Sequence, residues 1–174
     1  MALVTADLGY VETRVDDVIT RAGVSRRTFY QYFSDREDCF FAVYELIREG
    51  TLTRFTPDPE ADGTPQERLA AAVGRGLEYF AAWPHHAHVL LVDIVSTGPK
   101  GATRHEETMA QLAKLLVDCE AWSPRDWGEL DDNDQAQALI GAMHRVVAHR
   151  IADGRHATLG AVAQGLTALA LPSA

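Results

Sequence analysis

Between Ser25 and Phe33 the chain reads Ser-Arg-Arg-Thr-Phe-Tyr-Gln-Tyr-Phe, and the polar members of this run are of the types that handle nucleic acid. Guanidinium groups such as those of Arg26 and Arg27 neutralise phosphates or pair with guanine through two hydrogen bonds, while a Thr or Gln such as Thr28 or Gln31 meets adenine or the thymine methyl. Phe29 and Phe33 share one helical face at i, i+4 and leave the other side to the polar groups. Upstream, Val15, Val18, Ile19 and Ala22 fall at i, i+3, i+4, i+7, and the stripe stops at Gly23. Ser25 then caps the next helix. Two short helices across a tight glycine turn form a helix-turn-helix. The same spacing suits an ordinary corner between two helices with solvated arginines, and spacing alone leaves both readings open.

The remaining composition narrows the class. The chain has 174 residues, 47% hydrophobic and 24% charged, which fits one compact unit or a small domain fused to a larger one and excludes disordered and collagen-like classes. No apolar run approaches a membrane span, and the first residues reach Asp7 too soon for an export signal, so a cytoplasmic protein without a membrane partner is expected. Cys39 and Cys119 lie 80 residues apart without a C-x-x-C pairing, which predicts reduced core thiols. No nucleophile elbow, H-E-x-x-H or P-loop occurs, so no enzyme activity and no cofactor are expected. Sixteen Lys plus Arg against 25 Asp plus Glu give a net charge of −9, opposite in sign to the usual nucleic-acid footprint.

Apolar spacing is helical nearly everywhere, and the chain reads as all-α with about nine helices. Ser34-Asp35-Arg36-Glu37 is a capping box opening a long helix to about Phe55, Thr64-Pro65-Gln66-Glu67 opens another to Trp83, and Pro84 begins a third from His85 to Ser96. Gly98-Pro99 stops it, and Thr103-Arg104-His105-Glu106 opens a helix to about Glu120. Asp132 with Gln135 opens one to Gly154, and Leu159 to Leu169 mark the last. The expected division is a DNA-binding head over 1–35 and a helical unit over 36–174. Within the larger unit Tyr79, Trp83, His86, His88, Asp93, His105 and Met109 mix polar and aromatic groups into apolar stripes, as a small-molecule pocket requires. His85 and His88 stand at i, i+3 without a third ligand, so no metal site is expected. The last two helices are rich in Gly and Ala among apolar residues, and a face through Leu139, Met143, Val147, Val162 and Leu166 would pair with its symmetry mate as a four-helix bundle, an isologous homodimer.

One stretch carries a resemblance. Gly9-Tyr10, Val15-Asp16-Asp17-Val18-Ile19, Ala22-Gly23-Val24-Ser25, Thr28-Phe29-Tyr30, Tyr32-Phe33 and Arg36-Glu37 resemble the DNA-binding segment of the TetR family of bacterial transcriptional regulators over about 40 residues. The resemblance implies a homodimer with a three-helix head that binds operator DNA, and a larger helical domain with a pocket for a small-molecule effector of unknown identity whose binding relieves repression. It places Thr13 near a phosphate, Ser25, Arg26, Arg27, Thr28 and Gln31 at recognition-helix positions, and the Tyr30 hydroxyl on the DNA backbone. Arg36 stands where the family has a phosphate-gripping lysine, and Tyr32, in place of a frequent His, reads as packing that could also touch a phosphate. Two departures accompany this. Only eight residues precede Gly9-Tyr10, so the first helix reads as short or truncated, and residues 1–50 hold six Arg against nine acidic residues. A TetR-like relative that binds a ligand or partner without DNA is the alternative.

Overall fold

The head is built from short helices whose ends are chemically specified. In the computed structural model, which describes residues 1–171 and so omits the last three of the expected 36–174 unit, α1 (Ala2–Leu8), α2 (Val15–Ala22) and α3 (Arg26–Tyr32) precede a long α4 (Arg36–Phe55). The backbone N–H of Arg14 donates to the Asp17 carboxylate at 2.8 Å and opens α2. Gly23 closes it at φ +66°, so that Val24 N–H reaches back to Ile19 O at 3.1 Å, a left-handed turn that a side chain would strain. Ser25 Oγ accepts Thr28 N–H at 3.0 Å and starts α3 as expected. The cap of α4 differs from the expected box: Asp35 accepts Asp38 N–H, and the Asp38 carboxylate reaches back to Ser34 N–H. Both Ser34 and Asp35 suit an N-cap, and backbone geometry chose the second.

Beyond the head come α5 (Pro65–Ala82), α6 (Pro84–Leu91), α7 (Pro99–Val117), α8 (Asp132–Ala152) and α9 (Leu159–Ala170), with 3₁₀ turns at Asp93–Thr97 and His156–Thr158. The all-α reading holds, with no strand among the described residues. Thr64 and Glu67 form the expected box with Pro65 in the first turn. Three boundaries move. The His85 to Ser96 helix ends at Leu91 and continues as the 3₁₀ turn, where Gly101 of α7 packs tightly against Thr97 and the Ile94 carbonyl. Pro99 does not stop a helix but opens α7, ahead of Thr103, because a first-turn proline needs no intrahelical N–H partner. Asp131, not Asp132, caps α8 through Asp134 N–H, and Gln135 turns inward, exchanging hydrogen bonds with the Arg125 backbone at 2.7 and 2.9 Å.

Two cores result. A large one holds Phe40, Tyr44, Leu77, Leu90 and Ile94, and a small one holds Val18, Phe29 and Cys39 with Val15, Ile19, Phe33 and Met1 partly covered. Cys39 and Phe40 are neighbours on α4 but serve different cores, so this helix belongs to both units. Among the described residues no helix is long and apolar enough to cross a membrane.

A Cβ at Gly101 would collide with the Thr97 side chain and with backbone that cannot yield. Gly101→Ala is expected to destabilise the fold by about 1–3 kcal/mol in chemical denaturation, as overpacking does.

Candidate nucleic-acid interface and ligand cavity

The outer face of α3 carries the side chains expected to meet DNA. Arg27, Tyr30 and Gln31 are exposed and Thr28 is half-buried. Arg27 has no ion pair or side-chain hydrogen bond among the described residues, so its charge is uncommitted. Arg26 is differently placed, its guanidinium paired with Asp16 of α2. The Tyr30 ring sets its edge on buried Phe29 at 5.3 Å and leaves 48% of the residue exposed. Ser25 spends its hydroxyl on the cap and on Thr28 Oγ1.

Three expected roles change once the geometry is known. Thr13 is wholly buried and donates its hydroxyl to Gly9 O at 2.8 Å, so it holds the turn before α2 and does not face a phosphate. Tyr32, read as packing that could also touch a phosphate, is 76% exposed, which removes the packing role. Arg36 points inward rather than out. Its Nη1 donates to the carbonyls of Tyr10, Val11 and Thr13 at 3.0, 3.1 and 2.6 Å, and its guanidinium lies 4.4 Å over the Tyr10 ring. A cation in contact with three carbonyls and an aromatic face is committed to the fold. The segment 9–13 lacks regular structure and leaves carbonyls free, and no periodicity signals such a partner.

In the larger unit a cavity opens among α4 to α9, lined almost wholly by apolar side chains: Phe55, Leu69, Val73, Leu77, Phe80, Leu90, Leu91, Met109, Leu112, Leu115, Leu116, Ile140, Met143, Val147, Leu166 and Ala170, with Thr51 and His144. Of the residues expected to line a pocket, Met109 alone does so. Tyr79, Trp83 and His86 form a cluster of their own, with Tyr79 Oη 2.7 Å from His86 Nδ1, Trp83 stacked on the His86 ring and Arg54 over Tyr79. Burial pushes the His86 imidazole down to about 4, assisted by His85 and Arg54. His88 Nδ1 lies 3.1 Å from the buried Asp93 carboxylate without the angle of a hydrogen bond. His105 pairs with His144 behind the cavity wall. Mixed spacing in the sequence marks which residues are inward, and cannot tell which interior space they reach.

The expected dimer residues also move inward. Leu139, Met143, Val147 and Leu166 are buried within the chain and Val162 is half-buried, so the large side chains of α8 and α9 serve the protomer. What these helices expose is Gly141, Ala142, Arg145 and Val146 on α8 and Gly160, Ala161, Gly165 and Leu169 on α9. Both faces of each helix are apolar enough to bury, and packing sent the bulky one to the core. Among the described residues no group of three or more His, Cys, Asp or Glu side chains converges as metal ligands would.

The chain is thus a helix-turn-helix head on an all-helical body that holds an apolar cavity. Residues 4–43 match the model of the bacterial regulatory proteins, tetR family. The fatty acid metabolism regulator protein of Bacillus subtilis (strain 168) is 27% identical over 78 residues, which span 45% of this chain and 40% of that protein. The fold is similar to that of the fatty acid degradation regulator FadR from Bacillus halodurans, with a TM-score of 0.82 at 20% identity over 99% of this chain and 95% of that one. It is also similar to the transcriptional regulator FadR from Bacillus subtilis solved in complex with stearoyl-CoA, with a TM-score of 0.77 at 20% identity over 98% and 93%.

Arg36→Ala removes the clamp on the turn before α2. Hydrogen exchange of the amides in segment 9–13 is expected to rise, with a loss of about 1.5–3 kcal/mol in stability for bonds from a charged donor. Arg36→Lys is expected to recover little, since an ammonium lacks the planar reach over Tyr10.

Proposed function

We propose that the protein is a dimeric, cytoplasmic transcriptional regulator, not an enzyme, that represses by binding operator DNA and releases it when a small apolar molecule fills the cavity. The observation that carries this is the exposed, uncommitted polar face of α3, with Arg27, Thr28, Tyr30 and Gln31 side by side on the second helix of a helix-turn-helix. Arg27 takes a base edge or an adjacent phosphate, Gln31 a base, and the Tyr30 hydroxyl the backbone. Ser25 and Arg26 stand at the same helix start. Thr13 and Arg36 act from within, holding the turn that sets the pitch of α2 and α3.

The cavity supports the release step. Leu90 and Leu91 line it from α6, and α6 packs against α1 of the head. At the start of α7, Lys100 donates to Glu37 at 2.8 Å, and Lys100 and Arg104 both lie over the Phe41 ring, next to the clamp. A ligand that parts the cavity walls therefore bears on both ends of the head, and a dimer whose two recognition helices change separation no longer fits successive major grooves. Met109 contributes to the cavity. Tyr79, Trp83, His86, His88 and Asp93 are structural in this reading. The stearoyl-CoA bound by the similar regulator has a hydrocarbon chain, a chemistry that these walls suit. The dimer forms through the small-residue face of α8 and α9, where Gly and Ala let helices approach closely.

With net charge −3 over residues 1–50, few cations act at the interface, and each matters. Fluorescence anisotropy on DNA from the gene's own upstream region is expected to show selective, salt-sensitive binding. Arg27→Ala should weaken it by about 1–3 kcal/mol, roughly five- to 150-fold, and lower the log–log salt slope by about one per head. Asp16→Asn releases Arg26 and should raise affinity at low salt. Absence of selective binding in the wild type would support the ligand- or partner-binding alternative. Ala142→Arg places a charge on the outer face of α8 and is expected to give a folded monomer in sedimentation, whereas Leu139→Ala should lower stability and leave the dimer intact.

A further inference from the structure

On the head, the first turn of α2 and the start of α3 meet at one charged pair. Arg26 Nη2 donates to Asp16 Oδ1, a contact between residues ten positions apart that the Gly23 turn brings together. Asp17, the next residue, is spent on the start of α2, which leaves Asp16 to α3. The pair is not a buried structural bridge: 56% of the Arg26 side chain and 64% of the Asp16 side chain are exposed. An ion pair in that setting adds little to stability. Nor is its hydrogen bonding complete. Among the described residues the other N–H groups of Arg26 and Oδ2 of Asp16 have no protein partner. A planar guanidinium keeps a fork of free donors after one such contact, and the contact fixes the plane in which the fork lies. The carboxylate at its side adds a free acceptor.

Two donors followed by an acceptor have one complement on the edge of a base pair. In the major groove a G·C pair presents N7 and O6 of guanine as acceptors and then the cytosine N4 amino group as a donor. Where a helix-turn-helix enters that groove, the leading residues of its second helix meet base edges, and Arg26 is the first residue of α3. Resting on the reading of α3 as the DNA face, we infer that Asp16 and Arg26 act as one reader of a G·C pair in each half-site. Arg26 donates to guanine N7 and O6, and Asp16 Oδ2 accepts from cytosine N4. An A·T pair sets its adenine amino group against the arginine donors and its thymine carbonyl against the carboxylate, so the same atoms reject it. A carboxylate beside phosphates costs affinity for DNA of any sequence, and base discrimination is what offsets that cost. The pair is also neutral as a unit. It supplies selectivity without a share in the salt dependence, whereas the uncommitted Arg27 supplies charge.

The test is selection of bound duplexes by the full chain from a DNA pool randomised over its centre, with the wild type and with the double variant Asp16→Ala, Arg26→Ala. Neither side chain belongs to a core, so the variants keep the fold. The double variant is expected to lose one G·C position per half-site from the selected sequence and to keep the rest. Anisotropy across salt then compares the selected duplex with one in which that pair is changed to A·T. The wild type should prefer the first by roughly five- to 150-fold, and the double variant should bind both within about twofold, at the wild-type salt slope. Asp16→Asn should raise binding to both duplexes at low salt and shrink the preference at least about threefold. A sequence selected unchanged by the double variant would overturn the inference. So would a salt slope lowered by about one per head in that variant, which makes Arg26 a phosphate contact, or an Asp16→Asn protein with its preference intact, which makes Asp16 a restraint on charge alone. Each of those results leaves α3 as the DNA face, whereas a wild type that selects no sequence sinks both readings.

Discussion

The contact on which the rest of the molecule depends is the guanidinium of Arg36 against the turn that joins α1 to α2. One cation at the first turn of α4 collects the carbonyls of Tyr10, Val11 and Thr13 and covers the Tyr10 ring, whose edge meets Phe40 at 4.8 Å. Tyr10 belongs to the large core. The head is thus fastened to the body at the start of the helix the two share. Its own core is only a few side chains, too small to hold three short helices alone, so its orientation is borrowed from α4 and α6.

The charge distribution follows the same logic. Acidic side chains in the head are largely spent on helix starts, Asp17 on α2, Asp35 and Asp38 on α4, where the helix dipole favours them. Asp16 takes up Arg26. What remains outward on α3 is one uncommitted arginine among neutral hydrogen-bonding groups. An interface of this kind relies on placement more than on field, and contrasts with the broad basic patches that bind DNA whatever its sequence.

In the body, packing gathers large apolar side chains from six helices around a narrow space, and the outer faces of α8 and α9 keep Gly141, Ala142, Gly160, Ala161 and Gly165. The polar residues divide into three unlike groups. Tyr79, Trp83 and His86 satisfy one another at the α5 to α6 corner, where the His86 imidazole is held neutral. His88 and Asp93 face each other across the end of α6. Of the third pair, His144 lines the cavity and the His105 ring lies 4.9 Å from it.

The residue order by itself determined the all-helical class, the two short helices about Gly23, the Ser25 cap and the inward Phe29, because those features rest on local periodicity, capping chemistry and the left-handed freedom of glycine. It also determined which side chains of α3 stay exposed, since a seven-residue helix pinned by one phenylalanine face has only one other face to offer. It did not reveal the inward turn of Thr13 and Arg36, whose partners are backbone carbonyls 23 to 26 residues away for the arginine. Nor did it tell core from interface on α8 and α9, where both faces are apolar and only the volume left by α5 to α7 decides which is covered. The pairing of His105 with His144, 39 positions apart, was likewise settled by the packing of α7 against α8. Local rules act over a few residues along the chain, whereas a cavity and its polar end exist only where distant segments close on one another.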